Sequence, residues 1–276
     1  MSNQPLISIC IPTYNQTLHL RKLLNTTFSQ KEVDFEIIIT DDSSTNDVAE
    51  LVNEFRNNGF TISYNKNIPA LGAPKNWNYG ISLAKGDYIK IMHHDQWFED
   101  DFALKKLLDK IISDKKTFVF CACKNDYRGR ISEFRMNSNQ FENIKKEPEN
   151  LILANLIGGP TAIMYHKDAN IFYDEKIIWL VDVEFYLQLF KKGFKIEYID
   201  EILYTSMTDA DSLTNNNLID SEKQLYEYSY LFNKYIKQLP ILKRIKYVIG
   251  IYKTLILPLN KKSYLTQFIR FSKRIV

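Results

Sequence analysis

Short apolar runs alternate with amphipathic stretches through the first half of the chain. Leu6-Ile-Ser-Ile-Cys-Ile is rich in β-branched residues and stops at the turn signal Pro12-Thr-Tyr-Asn. A strand covered on both faces reads this way. Residues 17–29 then place Leu20, Leu23, Leu24 and Phe28 on one face of a helix. Residues 35–40 form a second apolar run, which ends in Asp41-Asp42. Residues 47–55 predict a helix, 60–64 a third strand, and 73–84 a helix with Pro74 in its first turn. Residues 88–92 predict a fourth strand, which breaks off at His93-His94-Asp95. A helix over 102–113 and a fifth strand over 117–123 complete the series. Strands alternating with helices over short connections predict an α/β fold, a mostly parallel Rossmann-like sheet flanked by helices.

Beyond Lys124 the periodicity weakens. Residues 125–149 are polar and read as irregular or as a pair of edge strands. Residues 151–156 read as a short helix. Gly158-Gly-Pro-Thr leads into an apolar run at 162–165, residues 181–190 read as a helix, and 195–199 as a strand. Residues 203–217 read as a mobile polar loop. The expected organisation is one domain over 1–217, with halves 1–124 and 125–217, followed by a helical tail over 218–276.

Charge sets the tail apart. The chain has 276 residues and a net charge of +3, but no Asp or Glu follows Glu227, where 11 Lys and Arg occur. The first 227 residues therefore hold 25 bases against 33 acids. Between Pro240 and Pro258 the apolar residues Ile241, Leu242, Ile245, Val248, Ile249, Tyr252, Leu255 and Ile256 keep helical spacing, with Lys243, Lys246 and Lys253 opposite. Tyr264, Leu265, Phe268 and Ile269 continue the pattern among further bases. A basic amphipathic helix of this kind suits peripheral contact with an anionic membrane surface. The alternative is a helical pair packed on the body, or a contact between copies in a homo-oligomer. Nucleic acid is not an expected partner.

Cys10, Cys121 and Cys123 lie in strand patterns without metal-like spacing and read as buried thiols of a reducing compartment. Met-Ser-Asn-Gln-Pro at the start has no leader character. No stretch reaches the roughly 20 apolar residues of a spanning helix. The expected location is cytoplasmic, at the inner face of the cell membrane.

In a parallel sheet, residues at the carboxyl ends of strands share one edge and meet at one crevice. Pro12-Thr-Tyr, Asp41-Asp42 and His93-His94-Asp95 are such ends. The order Ile-Ser-Ile-Cys-Ile-Pro-Thr-Tyr-Asn, Glu-Ile-Ile-Ile-Thr-Asp-Asp-Ser-Ser-Thr-Asn-Asp and Ala-Lys-Gly-Asp-Tyr-Ile-Lys-Ile-Met-His-His-Asp resembles the family 2 glycosyltransferases of the GT-A fold, over about residues 5–205. The resemblance implies transfer of a sugar from a nucleotide-sugar donor, with Mn²⁺ or Mg²⁺ and inversion at the anomeric carbon. By position, it implies that Pro12 and Tyr14 line the nucleobase pocket. Asp41 accepts a hydrogen bond from the base, Asp42 serves as a cap, and Asn76 and Asn78 reach the donor. His93-His94-Asp95 overlays the family's Asp-x-Asp, with a histidine in place of the first acid. Asp95 keeps the metal-ligating position, while His93 and His94 face the diphosphate or the metal. Asp182 falls on the catalytic base, and Glu184, two residues on, faces away.

The resemblance thus implies an inverting transferase, with a uridine diphosphate sugar as donor and a lipid-linked or surface glycan as acceptor. Two other readings stand beside it. The substituted first acid allows a catalytically silent nucleotide-sugar-binding protein. A nucleotidyltransferase that makes the donor would share the fold, but Pro12-Thr-Tyr-Asn is not a Gly-rich phosphate loop.

Overall fold

In the computed structural model, residues 6–207 and 221–256 are described. The elements in chain order are β1 (Ile7–Thr13), α1 (Leu18–Phe28), β2 (Phe35–Asp41), α2 (Asp47–Asn57), β3 (Ser63–Lys66), α3 (Lys75–Ser82), β4 (Tyr88–Ile91) and β5 (Gln96–Phe98). They continue with α4 (Ala103–Ile111), β6 (Thr117–Tyr127), β7 (Arg130–Phe134), α5 (Ser138–Lys146), β8 (Ile163–His166), α6 (Val181–Lys191), β9 (Lys195–Met207), α7 (Ser221–Leu231) and α8 (Ile241–Ile251).

The strands form one sheet in the order β3-β2-β1-β4-β8-β6-β9-β5, with β7 paired to β6. The half that carries the first strand ends is parallel throughout, β1 lying between β2 and β4 and β2 pairing β3. β8 enters antiparallel between β4 and β6, and β9 runs parallel to β6. Every residue of β1 is buried, and Ile7, Ile9 and Ile11 are fully so. Covering an isoleucine completely contributes about 1.5–3 kcal/mol, so this strand anchors the core. The register pairs Pro12 with Thr40 and Thr13 with Asp41, which brings the first two strand ends level.

β4 enters the sheet through a close approach at Gly86. A Cβ there would lie 2.7 Å from the backbone carbon of Ile7 and from the amide nitrogen of Ser8. The Gly86 amide donates to Ser8 Oγ at 2.8 Å. Only glycine lets the two backbones meet this closely.

Several elements differ from expectation. β6 runs on to Tyr127 and turns back as β7, and α5 follows behind a capping box made by Asn137 and Gln140. The polar stretch thus holds one hairpin and a helix, which short local hydrogen bonds stabilise without an apolar face. The short helix expected over 151–156 is instead a 3₁₀ turn at Pro148–Ile152. β5 was not anticipated. Leu203, expected in a loop, belongs to β9, which extends to Met207 because Gln96–Phe98 pairs with its far end. The rest of that expected loop, residues 208–217, lies outside the described residues, as does the tail over 257–276.

The tail helix α8 is oriented by its basic side. Lys243 and Lys246 pair with Glu147 at 2.8 and 2.7 Å. Tyr247 and Ile251 are buried, whereas Ile241, Leu242, Ile245 and Ile249 are exposed. Two surface lysines expected to be solvated or lipid-facing are therefore tied to the body, and the apolar stripe is divided, with Val248 and Tyr252 packed against the core and the four isoleucine and leucine residues facing outward. All three cysteines are free and buried.

Candidate active site

The expected strand ends meet on one edge. Thr13 accepts from the Asp42 amide at 3.0 Å, and Cys10 from that of Met92 at 2.9 Å. The His94 imidazole lies beside the Pro12 carbonyl, so the first and third strand ends are neighbours. Tyr14, just past β1, is 59% exposed and stands at the rim.

Asp41 and Asp42 separate in role. Asp41 is fully buried; its Oδ1 accepts from the Ser43 amide at 2.8 Å and its Oδ2 from the Tyr64 hydroxyl at 2.7 Å. Asp42 accepts from Asn67 Nδ2 at 2.8 Å and from the Leu71 and Gly72 amides at 3.0 and 2.8 Å. It therefore fixes the segment leading to α3 rather than capping α2. Asn76 donates to the Thr40 carbonyl at 3.1 Å and accepts from Asn67 at 3.0 Å. Asn78 donates to the Tyr173 carbonyl at 2.9 Å and accepts from its amide at 2.7 Å. Both amides thus bind the scaffold at the rim.

His93 packs its ring 4.7 Å from Trp77. Its Nε2 is buried with no hydrogen-bond partner among the described residues. Burial pulls the pKa of His93 down to about 3, and that of His94 down to about 4. Both imidazoles are therefore neutral near pH 7 and keep a lone pair. Asp95 follows on the same turn, its carbonyl accepting from the Met207 amide at 3.0 Å.

A chain of contacts leads from this turn to α6. The His93 amide lies 3.3 Å from Thr161 Oγ1. Thr161 also donates to Gln96, and its carbonyl accepts from the buried ammonium of Lys90. Tyr186 donates its hydroxyl to the carbonyls of Gly158 and Gly159, both at 2.9 Å. Gly158 has φ +102°, which only glycine adopts readily. Asp182 lies one turn before Tyr186 on the same helix face. Trp77, against His93, meets Tyr173 edge-on at 5.1 Å, and Tyr173 stacks on Phe185 at 4.2 Å. Burial raises the pKa values of both Tyr173 and Tyr186, and the nearby charge of Asp182 adds to the effect in each.

Asp182 Oδ1 is shut off from solvent with no hydrogen-bond partner among the described residues. Burial pushes its pKa up to about 7. Glu184 points the other way, where it is fully buried against Tyr235 and Lys234. The sequence points to the Gly158-Gly-Pro-Thr161 loop, which the resemblance puts near the acceptor, but not to Trp77, Tyr173 or Tyr186 as site residues. For Tyr186 the i, i+4 spacing from Asp182 was a usable signal; for the others the contacts span far-apart segments.

Among the described residues no group of three or more His, Cys, Asp or Glu is arranged to hold a metal. The Asp95 carboxylate is an oxygen donor of the kind that a hard cation takes beside phosphate and water.

Comparison with known proteins supports the family and the fold. Residues 8–172 match glycosyl transferase family 2. Abequosyltransferase RfbV of Salmonella typhimurium is 41% identical over 99 residues, covering 35% of this chain and 30% of that protein. Chondroitin synthase of Pasteurella multocida is 26% identical over 272 residues, covering 88% of this chain but 28% of that protein. The chain thus spans under a third of either of these relatives. Among solved structures, S. aureus TarS 1–349 in complex with UDP-GlcNAc superposes with a TM-score of 0.74 at 18% identity, covering 96% of this chain and 79% of that one. Mannosyltransferase PcManGT from Pyrobaculum calidifontis, in complex with GDP-Man and Mn²⁺, gives 0.62 at 12% identity, covering 98% and 85%. These likenesses establish a shared fold. With the family match covering more than half of its length, the chain belongs to glycosyl transferase family 2, and it is a glycosyltransferase of the GT-A fold.

Proposed function

We propose that the enzyme transfers a sugar, with inversion, from a uridine diphosphate sugar to a hydroxyl of a lipid-linked or surface glycan. The observation that carries this reading is Asp182: a desolvated carboxylate with a free oxygen and a pKa of about 7, linked through Tyr186, Gly158, Thr161 and His93 to the turn that bears Asp95. A general base works best when its pKa lies near the working pH. The acceptor hydroxyl gives its proton to Asp182 as its oxygen attacks the anomeric carbon. The bond to the nucleoside diphosphate breaks on the opposite face, and a β-linked product follows from an α-linked donor. Charge spread over an oxocarbenium-like transition state is the feature the site must favour.

Pro12 and Tyr14 flank the base in this reading, and Asp41 accepts from its imide. Asn76 and Asn78 shape the donor side of the rim through the segments they tie down. A divalent cation, Mn²⁺ or Mg²⁺, held by Asp95 with His93, would supply neutralisation of the departing diphosphate. His94, beside the Pro12 carbonyl, joins the first and third strand ends. The outward stripe of Ile241, Leu242, Ile245 and Ile249 on α8 supports peripheral membrane contact, where a lipid-linked acceptor is found. No helix among the described residues is long and apolar enough to cross a membrane.

The test is donor turnover, screened over UDP- and GDP-sugars with Mn²⁺, in the wild type and in Asp182→Asn. Turnover in the wild type that is lost in the variant supports the proposal. A wild type that binds UDP-sugar but never turns it over favours the silent binding protein, a reading to which the neutral His93 lends its own support.

A further inference from the structure

The helix that carries Asp182 has no cap of its own. Its N-terminal flank is Leu180, which offers no side-chain acceptor. The amides just ahead of the helix are instead taken by a residue 47 positions further along the chain. Glu227, on α7 and 5% exposed, accepts from the Ile178 amide at 2.9 Å through Oε1. It accepts from the Trp179 amide at 3.2 and 2.9 Å through Oε1 and Oε2, and from the Leu180 amide at 2.7 Å through Oε2. Three successive N–H groups converging on one carboxylate form a concave cradle that fixes backbone direction. Asp182 is the second residue after it.

The grip is reinforced on both sides. Tyr228, next to Glu227, meets Trp179 edge-on at 5.5 Å. Further along, the ammonium of Lys234 bridges Asp174 and Glu184 at 2.8 and 2.7 Å, and the Tyr235 hydroxyl donates to Glu184 at 2.7 Å. The segment after α7 therefore holds the far side of α6 while Glu227 holds its start. Asp182 lies between the two holds, with its buried Oδ1 met by no hydrogen-bonding group among the described residues.

We infer that Glu227 is a positioning residue for Asp182, and that α7 belongs to the catalytic unit because it aims the base. The inference rests on Asp182 being that base. A carboxylate here does what the Leu180 flank cannot: it meets three amides with two oxygens and fixes the turn that enters the helix. Glutamine offers one acceptor oxygen and turns an NH₂ toward an N–H, so Glu227→Gln frees the 178–180 segment. Aspartate keeps the charge but is one methylene short. Freeing the segment admits water to Asp182 and misplaces it, and a misplacement of about 1 Å can cost ~100-fold in rate.

The experiment is a ¹³Cγ aspartate titration by NMR, with the Asp182 signal assigned by its loss in Asp182→Asn. Wild type, Glu227→Gln and Glu227→Asp are compared, together with hydrogen exchange of the 175–190 amides and thermal melting. Tyr173 and Tyr186 are the titratable neighbours of Asp182, and burial keeps both phenols neutral across this range. His93 and His94, across the rim, are already neutral. The expected result is an Asp182 pKa that falls from about 7 toward about 4 in Glu227→Gln, with faster exchange at 178–182 and partial recovery in Glu227→Asp. Turnover of UDP-GlcNAc, GDP-mannose or another sugar donor found active should fall about 10–100-fold in kcat with KM little changed. An unchanged Asp182 titration and unchanged exchange in a folded Glu227→Gln overturn the inference. If Asp182→Asn turns over donor like the wild type, it is the base reading that fails, and the titration still reports whether Glu227 positions Asp182. Should Glu227→Gln fail to fold, Glu227→Asp decides alone, by the same two readouts.

Discussion

The Tyr64 hydroxyl donates to Oδ2 of Asp41 at 2.7 Å. With the Ser43 amide on Oδ1, it holds a fully buried carboxylate in one rotamer. The remaining lone pairs of Asp41 are what an imide N–H of a base would meet. Removing the phenol oxygen leaves the carboxylate free to turn. Tyr64→Phe is therefore expected to weaken UDP binding about 5-fold, the effect of one hydrogen bond near 1 kcal/mol. Asp41→Asn should weaken it further. Calorimetric titration with UDP checks both, and an unchanged affinity in Asp41→Asn removes Asp41 from the nucleotide pocket.

Asp182 links activity and stability to pH in opposite senses. The base works when deprotonated, so turnover should rise through about pH 7 and level off above it. Burial raises the folded-state pKa above the value of about 4 in the unfolded chain, so the fold favours the protonated form. Stability from this group is complete below about pH 4, falls as pH rises to about 7, and stays low beyond. Asp182→Asn carries no such loss. It should lower kcat about 10²–10⁴-fold, yet melt above the wild type at pH 8 and with it at pH 4. Calorimetric melting at the two pH values, with one rate profile, measures all three.

In the proposed site His93 takes the place of an acidic ligand, and burial keeps it neutral. His93→Asp adds one anionic ligand beside Asp95, and cation affinity follows ligand charge. Mn²⁺ should then bind on the order of tenfold more tightly in the presence of UDP, as read from manganese EPR. Equal affinity in the two proteins means that His93 does not face the cation.

Gly86 sits at a close backbone approach in the parallel half of the sheet. Gly86→Ala would set a methyl 2.7 Å from Ile7 and Ser8 backbone atoms. Neither can retreat without breaking the β1–β4 pairing. A loss of about 1–3 kcal/mol is expected, or some 2–4 °C in melting temperature per kcal/mol. Because β4 leads straight into His93-His94-Asp95, donor binding should suffer as well.

The outward stripe of α8 is open to a direct test of membrane contact. Leu242 is 79% exposed and Ile249 48%. Leu242→Ser with Ile245→Ser should cut partition onto vesicles containing an anionic phospholipid by at least about tenfold, since each buried aliphatic side chain contributes about 1.5–3 kcal/mol. Sedimentation with the vesicles measures it. Partition that ignores the stripe and follows salt alone assigns the contact to the basic residues.

What the chain announces by itself is local. Covered strands must be largely apolar, so residues 6–11 and 35–40 are legible as strands, and polar residues at their ends mark the rim. The face shared by Leu20, Leu23 and Leu24 identifies α1 by the same logic. The helix bearing Asp182 is legible too, because its apolar spacing survives around the acid. Other features depend on partners far away in sequence. β5 exists only because the distant end of β9 offers it hydrogen bonds. α5 has one buried residue, Ile144, and so no stripe to read. α8 is tied at the surface because Glu147 pairs with Lys243 and Lys246, which no pattern within the helix reveals. Glu227 looks like one more exposed acid until folding delivers it to three amides 47 to 49 residues behind it. Periodicity records which side of an element is covered; which group covers it is decided only when separate segments meet.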